Sequence, residues 1–322
     1  MKHTLVGRRA QIITLIGLGV VVVLLARRLD LAAMGAALAA LSWGWTATAA
    51  AVNLVGVIVE ATRWRLVMPP LARASLWSSL RALLVGNVGN IVLPLKAGEG
   101  VRAVTVAKLG QVPMTSAVTS VLLDRVFDLA AFPIFVALAS LLLTLPPSVL
   151  RFRFWAILVL AFGTPMCATA AWYLHRQHRK SGTARGPDDP LTRIIDGLSV
   201  FGERRRLLPA AGTALLAWLM RTLVIWCMVR AFDLSLPTAA AVSVLVLVNL
   251  SIAAVAAPGN AGVFELSAAG ALALWGVAAE RGVSFGLALH AAEVIPTAAL
   301  GVIAVMTMPV SLPAQSDGQA AR

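Results

Sequence analysis

The sequence predicts an all-α integral membrane protein with about six spanning helices, two re-entrant hairpins made of broken helices, and an inverted internal repeat. Three observations lead to this prediction. The composition is too apolar for a water-soluble core, six stretches are long and apolar enough to cross a bilayer, and two further apolar stretches carry the same Pro-to-Gly break.

The composition sets the class of protein. Hydrophobic residues make up 59% of the chain and charged residues only 13%, with a mean hydropathy of +0.87. The 27 Lys and Arg outnumber the 14 Asp and Glu, which gives +13, and so few charges must lie in short loops. We do not expect a nucleic-acid partner, because a basic binding stripe needs a folded aqueous domain. Cys167 and Cys227 lie in apolar runs, so no disulfide, metal site or cofactor is predicted.

Six apolar stretches fit, or nearly fit, the ~20 residues that a spanning helix needs. They cover residues 10–26, 40–60, 116–147, 154–174, 207–230 and 284–310. The first follows Lys2, Arg8 and Arg9 as in a signal peptide, but Arg27 and Arg28 stand where small cleavage-site residues would be expected. We therefore expect this stretch to be retained as the first span.

Two other apolar stretches are interrupted near their ends by proline and glycine. They cover residues 87–102 and 249–265. Proline removes a backbone donor and glycine permits unusual backbone angles, so each helix should break there. Pro94 and Gly98 have the same spacing as Pro258 and Gly262, at an offset of 164 residues (258 − 94 and 262 − 98). In hydrocarbon a broken helix is tolerated only beside protein or a water-filled cavity, so the breaks mark a candidate site.

The matched breaks indicate a duplicated unit. Each is followed by a short turn and an apolar helix that carries an acid, Asp124 in the first copy and Glu293 in the second. If each broken segment returns to its own side, three full spans separate the copies, and this odd number inverts the second copy, as in many transporters. The breaks should then approach one another near the bilayer midplane from opposite sides. The chain forms one membrane domain, divided as 1–62 (two leading spans), 63–174 (first repeat), 175–206 (cytoplasmic basic loop), 207–310 (second repeat) and 311–322 (tail).

The loop charges give the orientation. Cations concentrate in the segments that lie inside when the N-terminus is inside, above all in 175–206, and Arg63 is counted among these inner cations. The positive-inside rule therefore places both termini in the cytoplasm, and we expect the inner (plasma) membrane of a bacterium. If either broken segment crosses fully, the later loops change side. The apolar spacing over 191–201 fits either a helix on an anionic leaflet or an extension of the following span.

Two motifs carry a resemblance to a known family. The first consists of Pro94, Lys96, Gly98, Glu99 and Arg102, with an acid–Arg pair following at 124 and 125; the second consists of Pro258, Gly259, Gly262 and Glu265. Together they resemble the lysylphosphatidylglycerol synthase transmembrane-domain family, also called flippase-like membrane proteins, over essentially the whole chain. The resemblance implies movement of lipids or lipid-linked head groups between leaflets.

Two departures from the family limit what the resemblance implies. The sequence ends shortly after the last predicted span, without the soluble aminoacyltransferase domain of the best-known members, so we do not expect synthase activity. The acid at position 124 is Asp, where Glu is more usual in the family.

Five charged residues are candidates for substrate binding. They are Lys96, Glu99, Arg102, Arg221 and Glu265. The acids follow helix breaks, where an ionisable group at membrane depth is costly unless it is paired or hydrated, and the cations near the first break could hold a phosphate. Arg221 stands in mid-span, so we expect a carboxylate partner such as Glu265 or Glu293. Structural ion pairing is the alternative interpretation of these residues.

A second set is predicted to have structural or relay roles. It comprises Pro94, Gly98, Asp124, Arg125, Asp128, Pro258, Gly262, His290 and Glu293. Asp124 and Asp128 share a helix face, and Arg125 is three residues from Asp128, which favours a stabilising cluster at the inner interface. His290 and Glu293 fit either a proton relay or a structural hydrogen-bonding role.

Three functions fit these observations. The first is a transporter or flippase that moves a lipid or lipid-linked head group between leaflets by exposing a site alternately to each side. The second is a non-catalytic partner subunit of a lipid or cell-envelope synthesis pathway, so membrane lipids and lipid-synthesis enzymes are the expected partners. The third is an intramembrane lipid-modifying enzyme, which the sequence disfavours because it has no H-E-x-x-H helix and no G-x-S-x-G elbow.

The topology can be tested by cysteine labelling in intact cells. In a variant without native cysteines, Arg185→Cys should resist a membrane-impermeant thiol reagent added from outside, because its loop is expected to face the cytoplasm. Arg151→Cys, in a predicted outer loop, is the matched control and should react. Labelling of position 185 from outside would overturn the topology.

Overall fold

The computed structural model describes residues 30–68, 74–93, 96–144, 146–147, 173, 204–255 and 257–308, which form helices and their connecting turns. Two predicted spans lie outside the described residues: all of 10–26, and all of 154–174 except residue 173. Pro94, most of the 175–206 loop and the 311–322 tail lie outside them as well.

Nine α-helices make up the described part of the chain. In order they are α1 Leu31–Ala39, α2 Trp43–Val67, α3 Leu76–Val92, α4 Gly98–Gly110, α5 Met114–Leu142, α6 Arg204–Ala231, α7 Thr238–Ala254, α8 Val263–Ala273 and α9 Ala279–Met306. Four of them, α2, α5, α6 and α9, are long and apolar enough to cross a bilayer. They correspond to four of the six predicted spans. The chain is therefore a multi-pass membrane protein, and the regular structure of its described residues is helical.

Local sequence explains where several helices begin. The Asp30 carboxylate accepts hydrogen bonds from the first backbone N–H groups of α1, and the Ser75 hydroxyl accepts one at the start of α3. Pro113 and Pro237 directly precede α5 and α7. A proline is tolerated there because the N–H that it lacks would have no partner within the helix.

Both predicted helix breaks are present. The first lies between the end of α3 and the start of α4, where Lys96 has a positive φ of 55°. The second contains a 3₁₀ turn, Pro258–Asn260, and positive φ angles at Gly259 (59°) and Gly262 (78°). In each case the two flanking helices pack against one another, and the second break lies against Ile91 in the last turn of α3. The two breaks are therefore neighbours in the fold.

Successive helices recur at a nearly constant offset. α2 ends at Val67 and α6 at Ala231 (231 − 67 = 164), while α5 ends at Leu142 and α9 at Met306 (306 − 142 = 164). The broken pairs α3–α4 and α7–α8 lie between them. We call α2–α5 unit one and α6–α9 unit two. Each unit consists of a long helix, a broken helix pair and a second long helix.

The first helices of the two units run antiparallel along their length. At one end, the Ser42 N–H before α2 donates to the Ala231 carbonyl at the end of α6, with N···O 2.9 Å. At the other end, Arg206 in the first turn of α6 donates to the Leu66 carbonyl near the end of α2, at 3.2 Å. α2 and α6 therefore form the central contact between the units.

The last helix of each unit packs against the broken pair of the other unit. Arg81 near the start of α3 donates to the Thr307 hydroxyl just after α9, at 2.6 Å. In the reciprocal position, Val136 and Ala139 of α5 share a buried cluster with Ala239 near the start of α7. This packing makes the units interdependent, because each broken pair contacts the last helix of the other unit.

In the broken pair of unit one, α3 and α4 cross in close contact at glycines, Gly86 of α3 and Gly98 of α4. A β-carbon placed on Gly98 would overlap the Gly86 carbonyl oxygen and lie 2.5 Å from the Asn90 backbone nitrogen. Only a residue without a side chain therefore lets α4 begin so close to the backbone of α3.

Gly98→Ala should destabilise the fold by about 1–3 kcal/mol, the usual cost of overpacking, because the added methyl group meets backbone atoms that cannot move aside. Unfolding in detergent, followed by circular dichroism, measures the loss. Gly100→Ala is the matched control, since nothing lies within 4 Å of a β-carbon there. Equal stability of the two variants would show that the crossing is not tight.

Candidate functional site

Helix α5 supplies the acids at the centre of the site. Asp124 and Asp128 lie one turn apart on one face of the helix, and their residues are 0% and 8% exposed. This face of α5 is buried within the fold, because α2, α4 and α6 cover it, while the predicted location at the inner interface stays a prediction. Two carboxylates are thereby buried inside the helix bundle.

Arg63 of α2 contacts both of these carboxylates. Its Nε lies 2.8 Å from Asp124 Oδ1 and its Nη1 lies 2.9 Å from Asp128 Oδ1. The side chain is only 1% exposed. The assignment of Arg63 to a cytoplasmic loop was wrong, because α2 continues to Val67 instead of ending near residue 60. The helical spacing of Glu60, Arg63 and Trp64 is the sequence signal that could have shown this.

Arg102 of α4 holds the second oxygen of Asp124. Its Nη2 lies 2.9 Å from Asp124 Oδ2, and its guanidinium carbon lies 3.7 Å from the centre of the Trp64 ring. Trp64 is fixed in turn by a 3.1 Å hydrogen bond from its Nε1 to the Ser120 hydroxyl. Arg102 is 1% exposed, and its Nε and Nη1 have no hydrogen-bond acceptor among the described residues. Two of the three guanidinium nitrogens are thus buried without a hydrogen-bond acceptor among the described residues.

Glu99 and Arg125 complete the outer side of the cluster. Arg125 Nη2 lies 3.2 Å from Glu99 Oε1, and Arg125 Nη1 lies 3.4 Å from Asp128 Oδ2. Glu99 Oε2 is 3.7 Å from Arg102 Nη1, which is an ion pair but too long for a hydrogen bond. The Glu99 and Arg125 side chains are 26% and 38% exposed, so this side is the accessible one.

Arg221 joins the cluster from unit two. Its Nη2 lies 2.5 Å from Glu60 Oε1 and its Nη1 lies 3.6 Å from Asp128 Oδ1. The expected partners Glu265 and Glu293 were wrong, because the antiparallel packing of α2 on α6 places Glu60 beside Arg221 instead. Arg221 thus has the carboxylate partner that a charged group in mid-span needs, and that partner belongs to the other unit.

These eight side chains form what we call the charge network. Its members are Glu60, Arg63, Glu99, Arg102, Asp124, Arg125, Asp128 and Arg221. Four cations balance four carboxylates, so the network is neutral. Seven members come from unit one and only Arg221 comes from unit two, so within the network the Arg221 pairs are the contacts that join the units.

A cavity of about 200 Å³ lies next to the charge network. We call it the central cavity. It is enclosed by α2, α6 and α7 together with the second break, α8 and α9. Its polar lining consists of Asn53, Glu60, Arg221, Asn249, Asn260, His290 and Glu293. Because Glu60 and Arg221 belong to both, the network opens directly into a space between the two units.

Glu265 and His290 form a separate pair at the start of α8. Glu265 Oε2 accepts a 2.7 Å hydrogen bond from the Gly262 N–H, and Oε1 lies 2.7 Å from His290 Nδ1. The Phe264 ring stacks on the imidazole at 4.4 Å. Glu265 therefore caps the helix after the second break, and the side chain nearest to His290 is Glu265 and not Glu293.

Lys96 does not join the charge network. Its side chain is exposed at the first break, while its backbone carbonyl accepts the Glu99 N–H at 3.1 Å. Pro94 lies outside the described residues, and of Pro258 the structure describes the backbone alone. Within the described ranges, no three His, Cys, Asp or Glu side chains group as a metal site.

The fold and the site define a multi-pass helical membrane protein with a buried, charge-balanced centre. The sequence profile of the family described as "Lysylphosphatidylglycerol synthase TM region" matches residues 11–301. The chain belongs to this family, whose members are membrane proteins of lipid-related pathways. No curated protein and no solved structure matches the chain.

Asp124→Asn should be strongly destabilising, by about 3–5 kcal/mol, because it leaves the buried Arg63 and Arg102 without their shared counter-charge. Denaturant or thermal unfolding in detergent measures the change. Glu99→Gln is the matched control. The Glu99 side chain is partly exposed, so water can compensate for the lost charge, and this substitution should destabilise the fold much less. Similar stabilities for the two variants would mean that the network is hydrated and does not support the fold.

Proposed function

We propose that the protein is a transporter that moves a lipid or lipid-linked head group between the leaflets of the membrane. The observation that carries this proposal is the continuity of the charge network with the central cavity, between two units of similar construction. A purely structural ion pair has no need of a cavity between units. A transporter does need one, because its site must open to each side in turn.

The chemistry of the network favours a head group that contains a phosphate. Such a group loses its hydration when it leaves the interface, and cations must replace that water. Arg102 has unused N–H groups and Arg221 lines the cavity, so both can offer guanidinium donors to phosphate oxygens. The carboxylates that hold them in the empty protein keep the site neutral until the substrate arrives.

The architecture supports alternating exposure. We infer that the two units are inverted repeats and that their broken pairs are re-entrant hairpins. The constant helix offset and the antiparallel course of α2 and α6 support this inference. The exchanged packing of α5 and α9 gives each unit a surface on which the other can tilt. A tilt of one unit would first break the Arg221 pairs with Glu60 and Asp128.

The alternatives receive less support. A phosphatidyltransferase that used Asp124 and Asp128 would need both carboxylates for metal or base chemistry, yet Arg63 occupies one oxygen of each. We therefore propose that the protein is not an enzyme. Membrane lipids are the proposed partners, and the bacterial inner membrane with both termini in the cytoplasm is the proposed location.

Transport can be tested with purified protein in liposomes that contain a panel of lipids with dithionite-accessible fluorophores. Arg102→Ala and Glu99→Ala should each reduce transbilayer movement to the rate of protein-free liposomes, because the head group loses its cation or the cation loses its position. Arg102→Lys should rescue poorly, since an ammonium cannot form bidentate contacts. Lys108→Ala, on the exposed end of α4, is the matched control and should transport normally.

Folding must be separated from transport in this assay. Arg102 is also the partner of buried Asp124, so size-exclusion and unfolding measurements accompany each variant. Wild-type movement by a well-folded Glu99→Ala, Arg102→Ala double variant would place the site elsewhere. If the folded wild-type protein moves none of the lipids, the partner-subunit hypothesis is favoured instead.

A further inference from the structure

Glu293 occupies the middle of a membrane-spanning helix and faces the central cavity. It lies 14 residues after the start of α9 (293 − 279) and 13 before its end (306 − 293), so about 20 Å of helix separates it from either end. Its backbone carbonyl accepts a 2.9 Å hydrogen bond from the Asn53 amide of α2, which fixes this point of α9 at the unit boundary. The side chain is half-buried and lies on the cavity wall.

The cations near Glu293 are engaged by other carboxylates. Arg221 directs its two terminal nitrogens to Glu60 at 2.5 Å and to Asp128 at 3.6 Å. His290, one turn away on α9, directs Nδ1 to Glu265 at 2.7 Å. In the part of the chain that the structure describes, no cationic nitrogen lies within 4.0 Å of the Glu293 carboxylate.

Two further charged groups on the cavity wall act on Glu293 in opposite directions. Arg221 favours an ionised Glu293 and the Glu60 carboxylate disfavours it, and because these two form an ion pair with each other at 2.5 Å, neither is free to serve as the partner of Glu293. A carboxylate without a cation at this depth is stable only when neutral or hydrated. Among the described residues Glu293 therefore has no ion-pair partner, and a bound proton would remove the cost of its charge.

We propose that Glu293 is a proton-binding site that couples transport to proton movement. The coupling rests on the proposed transport function, whereas the proton site itself does not. A hydronium ion in the water on one side of the membrane transfers a proton to the Glu293 carboxylate: one of its O–H bonds breaks, the carboxylic O–H bond forms, and a water molecule is left. When the cavity opens to the other side, the carboxylic O–H bond breaks and a water molecule there takes the proton as hydronium. The proton removes the negative charge that would oppose an anionic head group, so the head group enters the cavity only while Glu293 is protonated.

The proton site can be tested without any transport. Infrared spectroscopy of the purified protein should show the carbonyl stretch of a protonated carboxylic acid at neutral pH, and Glu293→Gln should remove that band. Glu280→Gln, the same substitution in the first turn of the same helix, is the matched control and should retain the band. A wild-type spectrum without the band, or an unchanged band in Glu293→Gln, would overturn the proposal.

The coupling is tested in liposomes with an imposed pH gradient. Wild-type lipid movement should accelerate with the gradient and lose that acceleration when a protonophore is added. Glu293→Gln should move lipid at one rate regardless of the gradient, and Glu293→Asp should recover part of the response because it can again bind a proton.

The two proposals fail in different ways. Lipid movement that ignores the gradient in the wild-type protein overturns the coupling and leaves the transport function intact. An infrared band that belongs to Glu293 in a protein that moves no lipid supports the proton site and overturns the transport function.

Discussion

The burial of Asp124 between two guanidinium groups is the interaction on which the rest of the structure depends. A carboxylate on a membrane-spanning helix cannot remain ionised without counter-charges, and Arg63 and Arg102 supply them from two different helices. Each arginine in turn requires α2 or α4 to lie close to α5. The arrangement of α2, α4 and α5 is thus tied to the pairing of one acid. The break between α3 and α4 allows α4 to place Arg102 beside Asp124.

The same constraint links the two units. Arg221 is the one member of the charge network from unit two, and its partners Glu60 and Asp128 both belong to unit one. These ion pairs hold the units together, yet Arg221 could exchange its carboxylate partners for another anion. The central cavity beside this pair provides room for such an exchange. Stability and the proposed function therefore depend on the same contacts.

Close backbone approach makes these pairings possible. Gly98 lets α4 begin against the backbone of α3, and Gly286 lies so close to Glu265 that a β-carbon there would be 2.7 Å from the Glu265 Cα. Without these small residues, α4 and α8 would sit farther from their neighbours, and charged side chains of fixed length would not reach their partners. Packing of the backbone thus decides which charges can meet.

Much of the fold could be predicted from the sequence, because apolar length, helix breaks and repeat spacing are local properties of the chain. Four predicted spans, both breaks and the membrane class are found in the structure, and the grouping of Asp124, Arg125 and Asp128 on one helix follows from their spacing alone. Hydrocarbon imposes these features on any chain, since it admits only long apolar helices and sheltered breaks.

The partners of the charges were decided by the tertiary structure alone. Arg63 was assigned to a loop and Arg221 to the wrong acids, because the pairing depends on α2 lying antiparallel to α6 and on how far α2 extends. Likewise, His290 is bound to Glu265, which leaves Glu293 to the cavity. An ion pair acts over a few ångströms between residues distant in sequence, so the sequence determines which charges must be paired and only the packing of the helices determines with which.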